Sequence, residues 1–288
     1  MRYVSLFAGI EAASVAWEPL GFKPLAFAEI DRFPCAVLAH RFPSVPNLGD
    51  VTKADWSEYC GSVDIIIGGS PCQSFSMSGL RGGLEDPRGN LTLTYLAVVD
   101  RVRPRWIVWE NVRGVLSSNA GRDFGTFLGG LEKLGYSAAW RVLDASGFGV
   151  PQQRRRVFLV GHLGNFASPA AVLFERESFR GTPPKVRKVW KEIAGTLMAS
   201  TGPSPGRASL LIVDRGCARR LTPLECERLQ GFPDNWTLVA YRGKPAADGP
   251  RCKALGNSMA VPVVRWIGER IRAVDEARND IDTMNMGS

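Results

Sequence analysis

The feature that most limits the fold is a set of short apolar runs that end abruptly at glycine or at a polar residue. Residues 63–67 stop at Gly68-Gly69, residues 2–7 stop at Ala8-Gly9, and residues 105–109 stop at Glu110. A strand with one wet face alternates apolar and polar side chains, whereas runs that barely alternate suit strands covered on both faces of a parallel sheet. Similar runs occupy residues 24–29, 138–143 and 156–160, and Ala-rich helical sequence follows the first turn through Trp17. Strands and helices therefore alternate over residues 1–162. The expected class is α/β, a doubly wound Rossmann-like domain with ligands at the carboxyl ends of its strands.

The character changes after His162. Pro183-Pro184, the Pro/Gly/Ser stretch at 200–206 and the lack of helical period until Pro223 predict a smaller, loop-rich unit. The chain has a net charge of +8, and the segment from Arg154 to Arg220 alone holds thirteen Lys/Arg against four Asp/Glu. Such an excess suits a phosphate-facing surface, because each cation that neutralises a phosphate releases a counterion. A solvated charged face is the competing reading. Helical period returns from Cys252, with Ala260, Val264, Ile267 and Ile271 on one face, and the polar residues 275–288 are expected to fray. The expected division is an α/β domain at 1–162, a smaller, loop-rich unit at 163–250, and a segment at 251–288 returning to the first domain.

Composition excludes several classes. At 45% hydrophobic and 22% charged, the chain is neither disordered nor fibrous. No apolar run approaches the roughly 18 residues of a membrane span, so a soluble, unexported, cytoplasmic monomer is expected. The six cysteines include no C-x-x-C pair and there are only two histidines, so neither a disulfide framework nor a metal site is expected.

Three loops carry candidate chemistry. In Gly68-Gly-Ser-Pro-Cys-Gln-Ser74 a cysteine follows a buried strand directly, the place where loop amides and nearby arginine favour a thiolate. The competing fate of Cys72 is that of a small buried apolar residue, and this is the reading preferred for Cys35, Cys60, Cys217, Cys226 and Cys252. Glu110 leaves an apolar strand, where desolvation raises a carboxyl's pKa and suits it to proton donation; capping the following segment is its alternative. In Gln152-Gln-Arg-Arg-Arg156, strand alternation sends Arg154 and Arg156 to one side, where guanidinium forks onto carbonyl or phosphate. The first turn, Phe7-Ala-Gly-Ile-Glu11, fails the G-x-G-x-x-G pattern of dinucleotide sites. With Glu29 and Asp50 after the next strands, it suits a nucleoside without a pyrophosphate.

Taken in order, the Phe-Ala-Gly turn, Glu29-Ile-Asp31, Gly49-Asp-Val51, Pro71-Cys-Gln73, Glu110-Asn-Val112, Gln152–Arg156 and Gly256-Asn-Ser258 closely resemble the DNA (cytosine-5) methyltransferases, notably phage-like members. The resemblance covers nearly all of residues 1–162 and 219–271. It implies S-adenosylmethionine as cofactor, with Phe7 on its adenine or sulfonium side, Glu29 on the ribose hydroxyls, Asp50 on the adenine amino group, and Asn257 and Ser258 closing the pocket. Gly9, Ile10, Ile30, Val51, Pro71 and Leu91 are implied neighbours. The family's usual turn has a second glycine where this chain has Glu11.

The same resemblance implies that Cys72 adds to carbon 6 of a flipped-out cytosine while Glu110 protonates or hydrogen-bonds nitrogen 3 and Arg156 holds the exocyclic carbonyl, with Arg154 in the same catalytic set. Double-stranded DNA is the implied partner, with Gln73 and Ser74 against it. Lys188 and Lys191 are candidates for phosphate contacts, and Arg207 and Arg215 for base contacts. A transfer-RNA methyltransferase and a catalytically silent DNA-binding regulator are the alternatives.

Overall fold

The computed structural model describes residues 1–70, 91–174, 197, 211–214 and 217–286, with backbone alone at 211–214, 217–218 and 279–286. Its centre is a six-stranded sheet formed by β1 (Arg2–Leu6), β2 (Lys23–Ala28), β3 (Ile65–Gly68), β4 (Trp106–Val112), β5 (Tyr136–Asp144) and β6 (Arg155–Leu163), in the order β2-β1-β3-β4-β6-β5. The sheet matches the expected α/β class with one correction. The strands β1 to β4 pair in parallel, but β6 is antiparallel to both β4 and β5. Only residues 145–154 join β5 to β6, too few for the dozen or more that a crossover needs.

Non-alternating strands divide their side chains between two apolar layers. Tyr3, Ile65, Ile67, Trp106 and Val108 face one layer; Val4, Leu6, Ile66, Ile107 and Trp109 face the other. The first layer is covered by α1 (Ala12–Trp17), α2 (Arg32–Arg41), α5 (Ala167–Leu173), α6 (Pro223–Gln230), α7 (Asp248–Asn257) and α8 (Val261–Met286). The second is covered by α3 (Leu91–Val102) and α4 (Arg122–Lys133). Each large side chain withdrawn from water this way contributes about 1.5–3 kcal/mol before conformational entropy is counted.

Two segments differ from the sequence expectation. Helix α5 forms where no helical period is visible, its Val172 and Leu173 filling the first layer. The residues from Asp275 continue α8 rather than fraying at that point. Asp275 is buried, accepting from the Trp106 indole at 3.1 Å and pairing with Arg105 at 3.1 Å. One turn on, Arg278 meets His162 Nε2 at 2.8 Å. Burial and the Arg278 charge push that imidazole down to about 4, which keeps it neutral. The expected apolar stripe is present, with Ala260, Val264, Ile267 and Ile271 all buried.

The C-terminal helix is seated by contact with the first helix. The Trp17 indole donates to the Val264 carbonyl at 2.8 Å, and Gly268 lies so close that an added Cβ would overlap the ring. Gly268→Ala is therefore expected to destabilise the protein by about 1–3 kcal/mol, since the indole must move or the helices part. Urea unfolding checks this; unchanged stability would show that α1 and α8 separate without cost.

Candidate active site

The carboxyl ends of β1 to β4 open into one cavity of about 680 Å³, within the range of small-molecule sites. Phe7 and Gly9 enter from the turn after β1, Glu29 and Ile30 from that after β2, and Gly69 and Ser70 from that after β3. Glu110 comes from β4, Arg154 and Arg156 from the start of β6, and Asn257 from the end of α7. Asp50, Val51 and Leu91 complete the wall. Phe7 and Gly9 both have left-handed backbone, φ 53° and 57°, so a phenylalanine here holds a conformation usually left to glycine.

Glu29 organises its own loop. One carboxylate oxygen accepts from the Gly9 amide at 2.8 Å, the other from Ile30 and Asp31 amides at 2.8 and 2.7 Å. The ring of the wall beyond it carries Asp50, whose carboxyl is held low by hydrogen bonds from the Thr52 hydroxyl and amide. A nucleoside, which has hydroxyl and amino donors, suits a wall with these two carboxylates and with Phe7.

Glu110 is 9% exposed and lies inside β4, not at the cap of the next segment, where Val112 stands instead. Burial pushes its carboxyl up, opposed by the positive charges of Arg154 and Arg156. Arg156 Nε stands 3.3 Å from Oε1, yet the geometry completes no hydrogen bond to that oxygen. Gly69 backs the carboxyl closely: a Cβ there would meet Oε2 at 3.1 Å and the Glu110 carbonyl at 3.2 Å. Beside it, Asn111 donates to the Ser70 carbonyl at 3.0 Å and the Trp109 indole to the Ser70 hydroxyl at 3.1 Å. These bonds fix the chain two residues before Cys72.

Alternation divides the three arginines. Arg155 turns outward to Asp144, 3.0 Å away, while Arg154 and Arg156 both act on Glu110. Arg154 is 3% exposed and donates to the carbonyls of Leu197, Gly256 and Ser258 at 3.2, 3.2 and 2.8 Å. Gln152, fully buried, accepts from the Leu197 amide and donates to the Leu229 carbonyl.

Among the expected cofactor residues, Ile10 does not reach the cavity. Its side chain is fully buried in the first apolar layer, and its carbonyl accepts from the Trp236 indole at 2.9 Å. Ser258 lines a small adjoining void instead of the main cavity. Pro71, Cys72, Gln73, Ser74, Lys188, Lys191, Arg207 and Arg215 lie outside the described residues. Of the other cysteines whose surroundings are described, Cys226 is buried, Cys35 and Cys252 are half-buried and Cys60 is exposed, so burial describes only part of that set.

Sequence reasoning assigned no role to Tyr241 or Lys253, both of which line the cavity. Lys253 pairs with Asp31 at 3.1 Å, and Tyr241 packs edge-on against Phe33. These contacts join elements some 200 residues apart in sequence, and no local pattern marks them.

Comparison with known proteins is consistent with this geometry. The C-5 cytosine-specific DNA methylase family matches residues 1–201 and 175–273. A protein of Escherichia phage P1, named DNA N-6-adenine-methyltransferase, is 33% identical, over 93% of this chain and 61% of that protein. The chain thus spans about three-fifths of that relative's length. Type II methyltransferase M2.BsuMI of Bacillus subtilis is 31% identical, over 94% of this chain and 75% of its own. In structure, a DNMT2 of Spodoptera frugiperda superposes with a TM-score of 0.71 at 18% identity, covering 94% of this chain and 99% of its own.

The electrostatics of Glu110 can be checked alone. Removing a nearby positive charge removes a force that favours the carboxylate. Arg156→Gln is therefore expected to move the Glu110 titration to higher pH than in the wild type, read by carbon NMR of labelled glutamate. An unchanged or lower midpoint would show that Arg156 does not act on it. The α/β core, the cavity at its strand ends and the breadth of the family match together place this chain in the C-5 cytosine-specific DNA methylase family, whose members are S-adenosylmethionine-dependent methyltransferases.

Proposed function

We propose that the protein transfers a methyl group from S-adenosylmethionine to carbon 5 of cytosine in duplex DNA, through a covalent adduct with Cys72 on a flipped-out base. The observation that carries this reading is the position of Glu110. Its buried carboxyl has an oxygen without a hydrogen bond, faces the same cavity as Phe7, Glu29, Asp50 and Asn257, and adjoins the end of β3, from which the chain continues to Cys72.

Cytosine carbon 5 is a weak nucleophile until electron density is created there. In the proposed sequence the Cys72 thiolate adds to carbon 6 as Glu110 delivers a proton to nitrogen 3. Carbon 5 then takes the methyl group, which the bound cofactor supplies as an electrophilic sulfonium methyl. Loss of the carbon 5 proton to a base and expulsion of the thiolate, with nitrogen 3 returning its proton to the Glu110 carboxylate, restore the neutral aromatic ring. Arg156 orients Glu110 and the base carbonyl, and Arg154 holds the Asn257–Ser258 segment against the cavity. Glu29, through its loop, and Asp50 orient the cofactor's nucleoside. No step requires a metal.

Extruding the base costs a few kcal/mol, offset by pocket contacts and by cations on the backbone. We assign the backbone contacts to Lys188 and Lys191, base reading to Arg207 and Arg215, and further DNA contacts to Gln73 and Ser74, within a recognition unit at 163–250. Among the described residues no helix is long and apolar enough to cross a membrane. A cytoplasmic monomer acting on DNA is the simplest setting.

An adenine amino group carries its own lone pair and needs no cysteine adduct, so the product base separates the chemistries. Labelled S-adenosylmethionine is offered to duplex DNA, single-stranded DNA and transfer RNA, and the methylated base is identified by mass spectrometry. The expected product is 5-methylcytosine in duplex DNA, with the single-turnover rate of Glu110→Gln lower by about a hundred- to ten-thousand-fold. Methylated adenine, transfer RNA as the preferred acceptor, or an undiminished rate in Glu110→Gln would each contradict the reading.

A further inference from the structure

A void of about 50 Å³ adjoins the main cavity, bounded by Phe7, Gly9, Glu11, Glu110 and Asn257. Phe7, Gly9, Gly69, Glu110 and Asn257 also line the main cavity, so the two spaces share that wall, while Ser5, Glu11, Ser258 and the apolar residues around them line the void alone. Glu11 is completely buried. Its Oε1 accepts from the Ser14 amide and hydroxyl, 3.0 Å each, as the cap of α1. Its Oε2 completes no hydrogen bond, although the hydroxyls of Ser5 and Tyr3 lie near enough to favour its charged form.

Capping uses one oxygen, and a neutral side chain does it as well as a charged one. A fully buried carboxyl with a spare oxygen is costly unless a donor arrives to meet it. The void is too small for a side chain and large enough for a group about the size of one water molecule. The proposed cofactor carries a group of that size and of the right charge, the α-ammonium of its amino-acid tail. With the nucleoside against Glu29 and Asp50, the tail would have the wall of Phe7, Gly9, Glu110 and Asn257, which lines both spaces, to lie against.

We infer that Glu11 is a cofactor-positioning residue whose Oε2 accepts a hydrogen bond from the α-ammonium of S-adenosylmethionine. The inference rests on the cofactor proposed above and extends it to a residue that stands where the family usually has glycine.

The groups that face Glu11 are Tyr3 and Ser5 of β1, Ser14 of α1, Glu110 of β4 and Asn257 of α7. Tyr3 is bonded to the Ser14 hydroxyl at 2.6 Å. Burial pushes the Glu11 carboxyl up to about 7, against the hydroxyls of Ser5, Ser14 and Tyr3, which favour its charged form. An arriving ammonium also favours the charged form. Below pH 7 the free protein therefore holds a proton on Glu11 that binding releases, and affinity rises as pH climbs towards 7.

Two ligands separate this inference from the reading beneath it. S-adenosylhomocysteine keeps the amino-acid tail, and 5′-methylthioadenosine lacks it. Calorimetry at pH 6.5, in two buffers of different ionisation enthalpy, measures affinity and proton release for each. In Glu11→Gln, S-adenosylhomocysteine is expected to bind about ten- to a hundredfold more weakly, while 5′-methylthioadenosine keeps its affinity within about twofold. The wild type is expected to release a proton on binding the first ligand and none on binding the second. Proton release is decided on wild-type protein, so it stands even if the variant folds poorly. Equal losses for both ligands, unchanged affinity, or no proton release would overturn the role of Glu11. Failure of both ligands to bind the wild type would overturn the cofactor reading, and this inference with it.

Discussion

The buried guanidinium of Arg154 connects parts of the chain that sequence keeps far apart. It is anchored on the carbonyls of Gly256 and Ser258 while its charge bears on Glu110, and burial with the neighbouring Arg156 pushes its pKa down to about 10. A group that still ionises at that pH remains a cation at neutral pH, and removing one partner of such a set leaves the others buried without compensation. The cavity depends on this attachment. Without it the Gly256–Ser258 segment loses two of the hydrogen bonds that hold it beside β4, leaving Gln230, which donates to the Leu255 carbonyl at 2.7 Å, as a remaining tie. The Trp17 contact to Val264 and the Lys253 pair with Asp31 act at the two flanks of the same junction.

The site is therefore assembled by the sheet and closed by the chain's return. Four parallel strands deliver the Phe7 turn, Glu29, Ser70 and Glu110 to one edge, because consecutive parallel strands share a direction and end on the same side. The antiparallel β6 enters that edge from the opposite direction, so the start of this strand, rather than its end, meets Glu110. That reversal is what brings Arg154 and Arg156 to a carboxyl at the end of a parallel strand. A fully parallel sheet would have sent the same arginines to the far side of the domain.

Much of this was legible in sequence because the signals were local. Apolar runs that stop at Gly68-Gly69 or Glu110 mark strands and their ligand-facing ends at once, and the spacing of Arg154 and Arg156 correctly put both on one side. What escaped notice depended on contacts between distant segments. Burial of Asp275 is decided by the Trp106 indole and Arg105, and the polar residues around it gave no hint of either. Ile10 belongs to the core rather than the cavity, since its side chain joins the first apolar layer and its carbonyl accepts from the indole of Trp236, more than 200 residues further along the chain. The reversed direction of β6 was readable in principle, since the link from β5 is too short for a crossover. Lys253 had no local signal, as its partner Asp31 is more than 200 residues away.

The central claim is that the thiol of Cys72 attacks the target base beside Glu110. The most direct measurement uses duplex DNA in which every cytosine is replaced by 5-fluorocytosine, incubated with the protein and S-adenosylmethionine, digested, and mapped by peptide mass spectrometry. Fluorine blocks loss of the carbon 5 substituent, so the adduct cannot resolve. The account predicts a methylated fluorocytosine adduct on the peptide containing Cys72. An adduct on any other cysteine, or no adduct from protein that methylates ordinary duplex DNA, would contradict it.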